Sequence, residues 1–246
     1  FVGYSYEMTD VRELNPIFLR PDILRFNPFL QDAPLLGVDG ARTISKVTPS
    51  FRYNTVDHPI FPTTGKQYNL AIELAGGGGN TKFYKPTAEA IWYLRHAPKL
   101  SFGFRARAEY IQPLGASEVL PIFQLLSMGG DFSLRGFDIR SIGPGDPNLA
   151  GLVIGGNKSL LFNAEYLISI SNPVRIIIFY DAGQVADFGE EFTRENFYTS
   201  TGVELRFFMP VLNVPFRLIY AWNPKVDGIL NDRFQPQESS VFKFAV

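Results

Sequence analysis

Hydrophobic and polar residues alternate along much of the chain with a period of two, in segments of about nine to eleven residues separated by turn-forming residues. In Leu100–Tyr110, one set of alternate positions is apolar or aromatic, and the other carries Ser, Gly, Arg and Glu. Residues 160–170 and 197–207 divide in the same way. Because successive side chains of a strand point to opposite faces of a sheet, this pattern predicts β-strands with one apolar and one polar face.

Ten segments of this kind predict an all-β chain of antiparallel strands. They are residues 2–8, 47–54, 68–74, 84–95, 100–110, 160–170, 174–183, 197–207, 216–223 and 240–246. Helical periodicity is nearly absent. The 22 Gly and 18 Pro residues also favour a chain with many turns.

The polar face carries charges of both signs, and aromatic residues lie near the strand ends of the apolar face. The charged residues include Arg105, Arg107, Glu109, Glu165, Glu204 and Arg206, and the aromatic residues include Trp92, Tyr110, Tyr166, Tyr180 and Trp222. A transmembrane barrel turns its apolar face to lipid, with aromatic girdles, and keeps a polar interior. We therefore predict a transmembrane antiparallel β-barrel. The alternative is an amphipathic soluble sheet beneath a helical layer, which the lack of helical segments disfavours.

Composition excludes several other classes of protein. The 23 Lys and Arg residues nearly balance 24 Asp and Glu, and this net charge of −1 provides no field that would attract nucleic acid. The longest uncharged stretch, residues 119–130, is too short for a membrane helix of roughly twenty apolar residues. The absence of Cys excludes disulfides and thiolate metal sites. Because the chain begins at Phe1, without an initiator Met, we expect that it starts inside a longer polypeptide or after processing, and we interpret it as a fragment.

The sequence contains no recognisable catalytic constellation, so we expect neither enzyme activity nor a cofactor or metal. We expect His58, beside Pro59, and His96, near Pro98, to lie in surface turns, and neither has a partner His or Cys at metal-ligand spacing. The glycine run at 76–79 lacks the Lys-Ser/Thr of a phosphate loop. Glu109 and Glu204 have basic neighbours on the same face, which predicts a solvated charge network.

Two long connections interrupt the strands. Residues 17–36 are apolar in places and punctuated by Pro, and we expect a loop that covers the barrel mouth, contacts a partner or packs on its own rim. Residues 128–158 form a glycine-rich connection of about thirty residues, a length that is usually functional or disordered.

The second connection contains a short motif, formed by Leu134, Arg135, Gly136 and Phe137, between a Gly-Gly pair and an Ile-Gly-Pro sequence. This tetrad resembles the sixth extracellular loop of the BamA superfamily, the factors that fold and insert β-barrel proteins into outer membranes. Taken alone, the tetrad could also be an ordinary loop turn with a solvated Arg.

Two further stretches support the resemblance, in the order that the family has them. Residues 54–65 resemble the family turn Asn-x-x-Asp-x-x-x-Phe-Pro-Thr-x-Gly. Its defining positions are Asp57, Phe61, Pro62 and Gly65. Residues 180–183, Tyr-Asp-Ala-Gly, resemble the family's Asp-x-Gly strand motif, with Asp181 and Gly183 at its named positions.

The resemblance covers essentially the whole chain and implies its place in a larger protein. Residues 1–246 would be the C-terminal part of a 16-stranded barrel in the outer membrane of a diderm bacterium. Six upstream strands and the periplasmic POTRA domains would then be missing from this chain. The implied partners are outer-membrane lipids, unfolded β-barrel clients, periplasmic chaperones and accessory outer-membrane lipoproteins.

The resemblance also implies that residues 128–158 fold into the barrel lumen. Arg135 would then contact inward carboxylates, for which Glu165 and Asp181 have the right parity on their strands. Gly136 would allow a close backbone approach, and Phe137 would pack on the inner wall.

The last strand, residues 240–246, would form one side of a lateral seam, with Phe242, Phe244 and Val246 facing lipid. An open seam can offer its strand edge to a client strand by β-augmentation. Family members commonly continue a few residues further, so we expect about three or four more residues after Val246. The alternative function is a related barrel that secretes a partner protein, since such transporters share the tetrad. A passive porin would not need the tetrad.

Overall fold

The computed structural model describes residues 1–9, 42–115, 120–145, 153–171, 173–209, 214–231 and 235–245, and the segment 17–36 and Val246 lie outside them. The described residues form eleven strands and a short 3-10 helix at Arg194–Asn196. The strands are β1 (Val2–Thr9), β2 (Arg42–Asn54), β3 (Gly65–Ala75), β4 (Phe83–Ala97), β5 (Leu100–Tyr110), β6 (Gln112–Pro113), β7 (Lys158–Ser171), β8 (Val174–Ala186), β9 (Tyr198–Met209), β10 (Val214–Trp222) and β11 (Ser240–Ala245).

The strands form one antiparallel sheet in the order of the sequence. The order is β1-β2-β3-β4-β5-β7-β8-β9-β10-β11, and the short β6 pairs with β4. The ten long strands correspond one to one with the ten predicted segments, which confirms the all-β antiparallel prediction. In the part of the chain that is described, no helix is long and apolar enough to cross a membrane.

Several strands extend beyond their predicted bounds. β2 begins at Arg42 rather than at residue 47, because residues 42–46 pair with the end of β1, for example Thr9 with Arg42. β3 begins at Gly65, which pairs with Tyr93 of β4. Ladder hydrogen bonds need only backbone groups, so a strand can continue past the residues whose side chains alternate.

The two faces of the sheet have opposite character. We call the face that bears Arg105, Glu165 and Asp181 the inner face, and the opposite face the outer face. Large apolar side chains are exposed on the outer face, including Phe51, Leu70, Ile72, Phe102, Phe104, Phe162, Ile178, Tyr180, Val203, Tyr220 and Trp222. By contrast, Asp181 and Glu204 on the inner face are fully buried. Apolar side chains outside and ionic ones inside are what the alternation predicted.

One end of the inner face is apolar and buried, in contrast to the polar interior that the strand pattern predicted. Here the described residues of the connection between β5 and β7 cover the sheet and add their own apolar side chains to those of the strands. The buried cluster contains Ile44, Ala75, Phe83, Ile111, Leu120, Leu126, Met128, Leu134, Phe137, Ile142, Leu161, Val185 and Ile229. This packing fixes the connection against the strands, since burying such side chains contributes about 1.5–3 kcal/mol each.

Candidate functional site

The tetrad, residues 134–137, lies on the inner face with all four residues buried. Leu134 and Phe137 belong to the apolar cluster, and the Phe137 ring meets that of Tyr198 edge to face at 6.1 Å between centroids. Arg135, between them, is only 3% exposed although it carries a charge. A buried guanidinium is stable only if its charge and its N–H groups are satisfied.

Three carboxylates from three adjacent strands surround the Arg135 guanidinium. The Asp181 carboxylate on β8 accepts hydrogen bonds from Nε at 2.8 Å and from Nη2 at 2.7 Å, which form a bidentate pair. Nη1 donates to Glu165 on β7 at 2.8 Å and to Glu204 on β9 at 3.1 Å. The guanidinium also lies over the ring of Phe179, with Cζ 3.8 Å from the centroid. We call Arg135 and these three carboxylates the Arg135 site.

Strand register brings the three carboxylates together. Asp181 pairs with Asn163 of β7, whose neighbour two positions along is Glu165, so both carboxylates point to the inner face. The Asn163 Nδ2 group also donates to Asp181 Oδ1 at 2.8 Å. The structure therefore brings Arg135, Glu165 and Asp181 into direct contact.

Glu204 is the partner that the sequence did not identify. The charge network predicted for it was expected to be solvated, but Glu204 is 0% exposed, so that expectation is wrong for this residue. Arg217 donates to it through Nε and Nη2, both at 2.7 Å, and Arg206 through Nε at 2.7 Å. The contact between Glu204 and Arg135 joins residues 69 positions apart, which strand parity does not reveal.

Charge is balanced within this network. Three guanidiniums, those of Arg135, Arg206 and Arg217, face three carboxylates, those of Glu165, Asp181 and Glu204. Removing Arg135, Asp181, Glu204 or Arg217, whose side chains are at most 5% exposed, would leave an uncompensated buried charge. Glu165 and Arg206 are about one-fifth exposed, so their removal should cost less. The other predicted acid, Glu109, pairs with Arg107 at 2.9 Å, and the Arg107 side chain is 37% exposed.

Two glycines allow the tetrad to approach the strands. Gly136 has a φ of +86°, and a Cβ there would lie 2.7 Å from Cβ of Ala221 on β10. A Cβ on Gly183 of β8 would lie 2.6 Å from Sδ of Met128 and 3.3 Å from Cδ1 of Leu134. Both positions are therefore close contacts between the connection and the inner face.

The turn motif, residues 54–65, is held by its own acid. Asp57 Oδ1 accepts the backbone N–H of Thr63 at 2.8 Å and that of Thr64 at 3.2 Å, and Oδ2 accepts the Thr63 hydroxyl. Burial raises the pKa of Asp57, but these hydrogen bonds outweigh it and lower the pKa to about 2. Gly65 has a φ of +108°, and a Cβ there would lie 2.3 Å from the Thr55 carbonyl oxygen.

The same turn reaches across the inner face to β8 and β9. Arg175 on β8 donates to the carbonyl oxygens of Pro62 and Phe61, both at 2.8 Å. The Phe61 ring packs edge to face on Phe208 of β9, with centroids 6.1 Å apart. This contact joins residues more than a hundred positions apart, and no pattern in the sequence indicated Arg175 as the partner.

A cavity of about 470 Å³ lies between the turn and the tetrad. Pro59 and Ile60 of the turn line it on one side, and Arg135 and Phe132 on the other. Charged side chains from the strands complete its wall, namely Glu89, Arg105, Glu165, Arg206 and Arg217. The two sequence motifs thus border the same interior space.

The last strand exposes its predicted lipid-facing residues. Phe242 is 68% and Phe244 58% exposed on the outer face of β11. The Phe244 ring stacks on Phe216 of β10 at 5.7 Å, and Phe216 stacks on Phe207 of β9 at 5.1 Å.

Nothing in the described ranges has the geometry of a metal site, because no group of three or more His, Asp and Glu side chains is placed to hold an ion. His58 and His96 are both exposed, but His96 lies near the end of β4, so the turn predicted for it is wrong. The His58 ring accepts backbone N–H groups of its own turn through Nδ1, and His96 lies 3.3 Å from the Tyr166 hydroxyl. The three carboxylates of the Arg135 site all form ion pairs with arginine side chains.

Comparison with known proteins identifies relatives of this arrangement. Outer membrane protein assembly factor BamA of Nitratidesulfovibrio vulgaris is 29% identical over 214 residues, which is 85% of this chain and 26% of that protein. The BamA of Neisseria meningitidis serogroup B is 27% identical over 160 residues, 61% of this chain and 20% of that protein. A SAM50-like protein of Schizosaccharomyces pombe is 29% identical over 154 residues, 58% of this chain and 32% of that protein.

A solved structure has the same fold. The crystal structure of Haemophilus ducreyi BamA lacking POTRA domains 1–3 superimposes with a TM-score of 0.69 at 25% identity, covering 83% of this chain and 43% of that one. The chain thus spans between a fifth and a third of the length of these curated relatives. The Omp85 superfamily domain matches residues 2–245, almost the whole chain, and the chain therefore belongs to the Omp85 superfamily.

Proposed function

We propose that the protein carrying this chain is an integral outer-membrane factor that folds and inserts β-barrel proteins. The observation that carries the proposal is the match along 85% of the chain to a relative named outer membrane protein assembly factor. The outer face, which exposes large apolar side chains, supports a position in the lipid bilayer.

The physical basis of the proposed activity is the edge of the sheet. An unpaired strand edge in hydrocarbon leaves N–H and C=O groups unsatisfied at several kcal/mol each. Among the described residues, β11 pairs only with β10. A seam that opens beside β11, with Phe242, Phe244 and Val246 toward lipid, would offer its edge to a client strand by β-augmentation.

We propose further that residues 1–246 are the C-terminal part of a 16-stranded barrel, preceded by six strands and POTRA domains. The small shares of the curated relatives that the chain covers, 20–32%, support a longer protein. Sequencing the gene upstream of Phe1 and downstream of Val246 tests this organisation. Several POTRA domains would favour an assembly factor, whereas two with a plugging N-terminal helix would favour a secretion transporter.

In this proposal the Arg135 site is structural rather than catalytic, and the protein is not an enzyme. Its role is to hold the connection 128–158, including the tetrad, over the inner face. The close contact at Gly183 would hold the tetrad on one side of the interior cavity. The turn motif would border the other side, with its shape set by Asp57, Phe61, Pro62 and Gly65.

The partners proposed are outer-membrane lipids and unfolded β-barrel clients, delivered by periplasmic chaperones and assisted by accessory outer-membrane lipoproteins. The proposal of β-barrel clients is supported by the Nitratidesulfovibrio relative, which is named an outer membrane protein assembly factor. Affinity purification of the full-length protein from mild detergent, followed by identification of the bound proteins, would test the accessory partners.

Depletion of the full-length protein from its host tests the function. We expect surface porins to lose their folded, heat-modifiable form, and re-expression of the wild-type protein to restore it. Normally folded porins in depleted cells would contradict the proposal. Loss of a single secreted protein under the same conditions would instead identify a secretion transporter.

A further inference from the structure

The last strand, β11, has few restraints within the described part of the sheet. It is six residues long, and its ladder partner is β10, with Lys243 opposite Ile219. On its inner side β11 carries Val241, Lys243 and Ala245, since Phe242 and Phe244 point outward. Lys243 is the only one of these three side chains that can form a hydrogen bond or an ion pair.

Lys243 connects β11 to the residue that ends the tetrad and to the one after it. Its Nζ donates to the Phe137 carbonyl oxygen at 2.9 Å and forms an ion pair with Asp138 Oδ1. Both side chains of this pair are about one-fifth exposed, 20% for Lys243 and 22% for Asp138. Just before β11, the Gln237 amide donates to the Gly136 carbonyl oxygen at 3.2 Å.

The residues that Lys243 contacts are themselves fixed from the other side. Arg135, only three positions before Asp138, is bound to carboxylates on β7, β8 and β9. Leu134 and Phe137 are fully buried. Residues 135–138 therefore form a short, continuous connection between the middle of the sheet and its last strand.

We propose that Lys243 is a positioning residue for the seam, because its contacts with Phe137 and Asp138 hold β11 against the inner connection and set how readily that strand separates. The proposal rests on the proposed function in one respect, that β11 borders the seam. Displacement of β11 must break the Lys243 contacts, and displacement of the tetrad must loosen β11.

Hydrogen exchange of the full-length protein in lipid nanodiscs tests this connection. In Lys243→Met, which keeps the length of the side chain but removes its charge, we expect amides of β10 and β11 to exchange about tenfold faster. The matched control is Lys46→Met. The Lys46 side chain is similarly exposed, at 17%, and forms ion pairs with Glu7 and Glu73. It lies on β2, far from β11 in the strand order. We expect this control to leave β10 and β11 unchanged.

Further variants separate positioning from a general loss of structure. Asp138→Asn should also raise exchange in β11, because it removes the ion pair. Adding Lys243→Met to it should raise exchange by less than Lys243→Met does alone, since only the contact with the Phe137 carbonyl oxygen is left to lose. Lys243→Arg, which keeps the charge, should restore most of the protection. Exchange in β7, β8 and β9 should stay at the wild-type level in all of these variants.

Unchanged exchange in β11, or an equal rise throughout the sheet, would overturn the proposal. The measurement needs no client protein, so its result is independent of the depletion experiment. Normal porin folding in depleted cells would contradict the proposed function. The exchange data would still show whether the Lys243 contacts hold β11.

Discussion

Arg135 and Asp181, 46 positions apart, are joined by three hydrogen bonds. The Asp181 carboxylate accepts the backbone N–H of Arg135 at 3.1 Å, its Nε at 2.8 Å and its Nη2 at 2.7 Å. The carboxylate therefore fixes both the side chain and the main chain of the tetrad. Arginine is the only residue whose side chain is a planar cation that can donate two parallel N–H hydrogen bonds to one carboxylate. No other residue could therefore replace Arg135 in this pair.

Arg135→Ala should lower the heat resistance of the folded protein in detergent. The substitution leaves Asp181 and Glu204 buried beside a vacated position, and breaking a buried ion pair typically costs about 3–5 kcal/mol. Arg135→Lys should recover little of this, because an ammonium cannot form the bidentate pair. The measurement is the temperature at which the folded band disappears in semi-native electrophoresis.

The control for Arg135 is Arg107→Ala, which removes an ion pair whose arginine side chain is 37% exposed. Such pairs contribute about 0–1 kcal/mol, so melting should change little. Equal melting of Arg135→Ala and the wild type, together with unchanged proteolysis of the connection 128–158, would show that Arg135 does not hold it.

Glu204→Gln should destabilise the protein more than Glu109→Gln. The buried Glu204 accepts hydrogen bonds from three arginines, and an amide would remove the charge that balances them. We expect a loss of about 3 kcal/mol or more for Glu204 and less than about 1 kcal/mol for Glu109. Urea unfolding of the two variants in the same detergent gives the comparison, and similar midpoints would contradict it.

Gly136→Ala should prevent the tetrad from seating on β10. The new Cβ would lie 2.7 Å from Ala221 Cβ, and the backbone at φ +86° disfavours any side chain. The control is Gly189→Ala, at φ +78°, where no atom lies within 4 Å of the new Cβ. It isolates the backbone cost, about 1–2 kcal/mol. Protease cleavage within 128–145 should increase for Gly136→Ala alone, and equal cleavage of both variants would assign the effect to backbone strain.

The strands and the two faces follow directly from the sequence because they depend on a local rule. Alternation in Leu100–Tyr110 places Phe104 outside and Arg105 inside, and the structure agrees. The same parity indicated which face Glu165 and Asp181 share. Pattern alone could identify these carboxylates as inward, and the resemblance of the tetrad suggested the arginine that they contact.

What the sequence could not reveal depends on contacts between distant parts of the chain. Glu204 has the parity of a solvated interior acid, but it is buried, and its contact with Arg135 joins residues 69 positions apart. Likewise, Arg175 contacts carbonyl oxygens in the turn motif, and carbonyl groups leave no signature in a sequence. The apolar cluster beneath the connection was missed because its side chains come from many separate segments.

A charge on the outer face should be costly in a bilayer. Ala106 lies at the centre of β5 on that face, between Arg105 and Arg107 on the inner face. Ala106→Arg should reduce folding stability in lipid vesicles by about 2–4 kcal/mol, as for lipid-facing positions near the bilayer midplane. The control is Arg107→Lys, which changes the neighbouring residue on the inner face but keeps its charge, so the stability should change little. Equal stabilities in vesicles would contradict a lipid-facing position for Ala106.

The turn motif should loosen in acid. The pKa of Asp57 is lowered to about 2 in the folded turn, below the unfolded value of about 3.9. A lowered pKa means that the carboxylate stabilises the turn fully above about pH 4, and that this contribution is lost as the pH falls toward 2. Pepsin cleavage near Phe61 should therefore increase between pH 4 and pH 2.

Asp57→Asn provides the comparison for the acid experiment, since it cannot change charge. We expect this variant to be cleaved near Phe61 at both pH values. If the wild-type turn is equally resistant at pH 4 and pH 2, ionisation of Asp57 does not hold it.

The sequence separations within the Arg135 site constrain the order of folding. Glu165 follows Arg135 by 30 positions, Asp181 by 46 and Glu204 by 69, so its full set of anions exists only after β9 has been added. Closing such long loops has a large entropic cost and is slow. The guanidinium has all three carboxylates only when β7, β8 and β9 are paired in their native register, so its complete set of contacts reports the register of three consecutive strands.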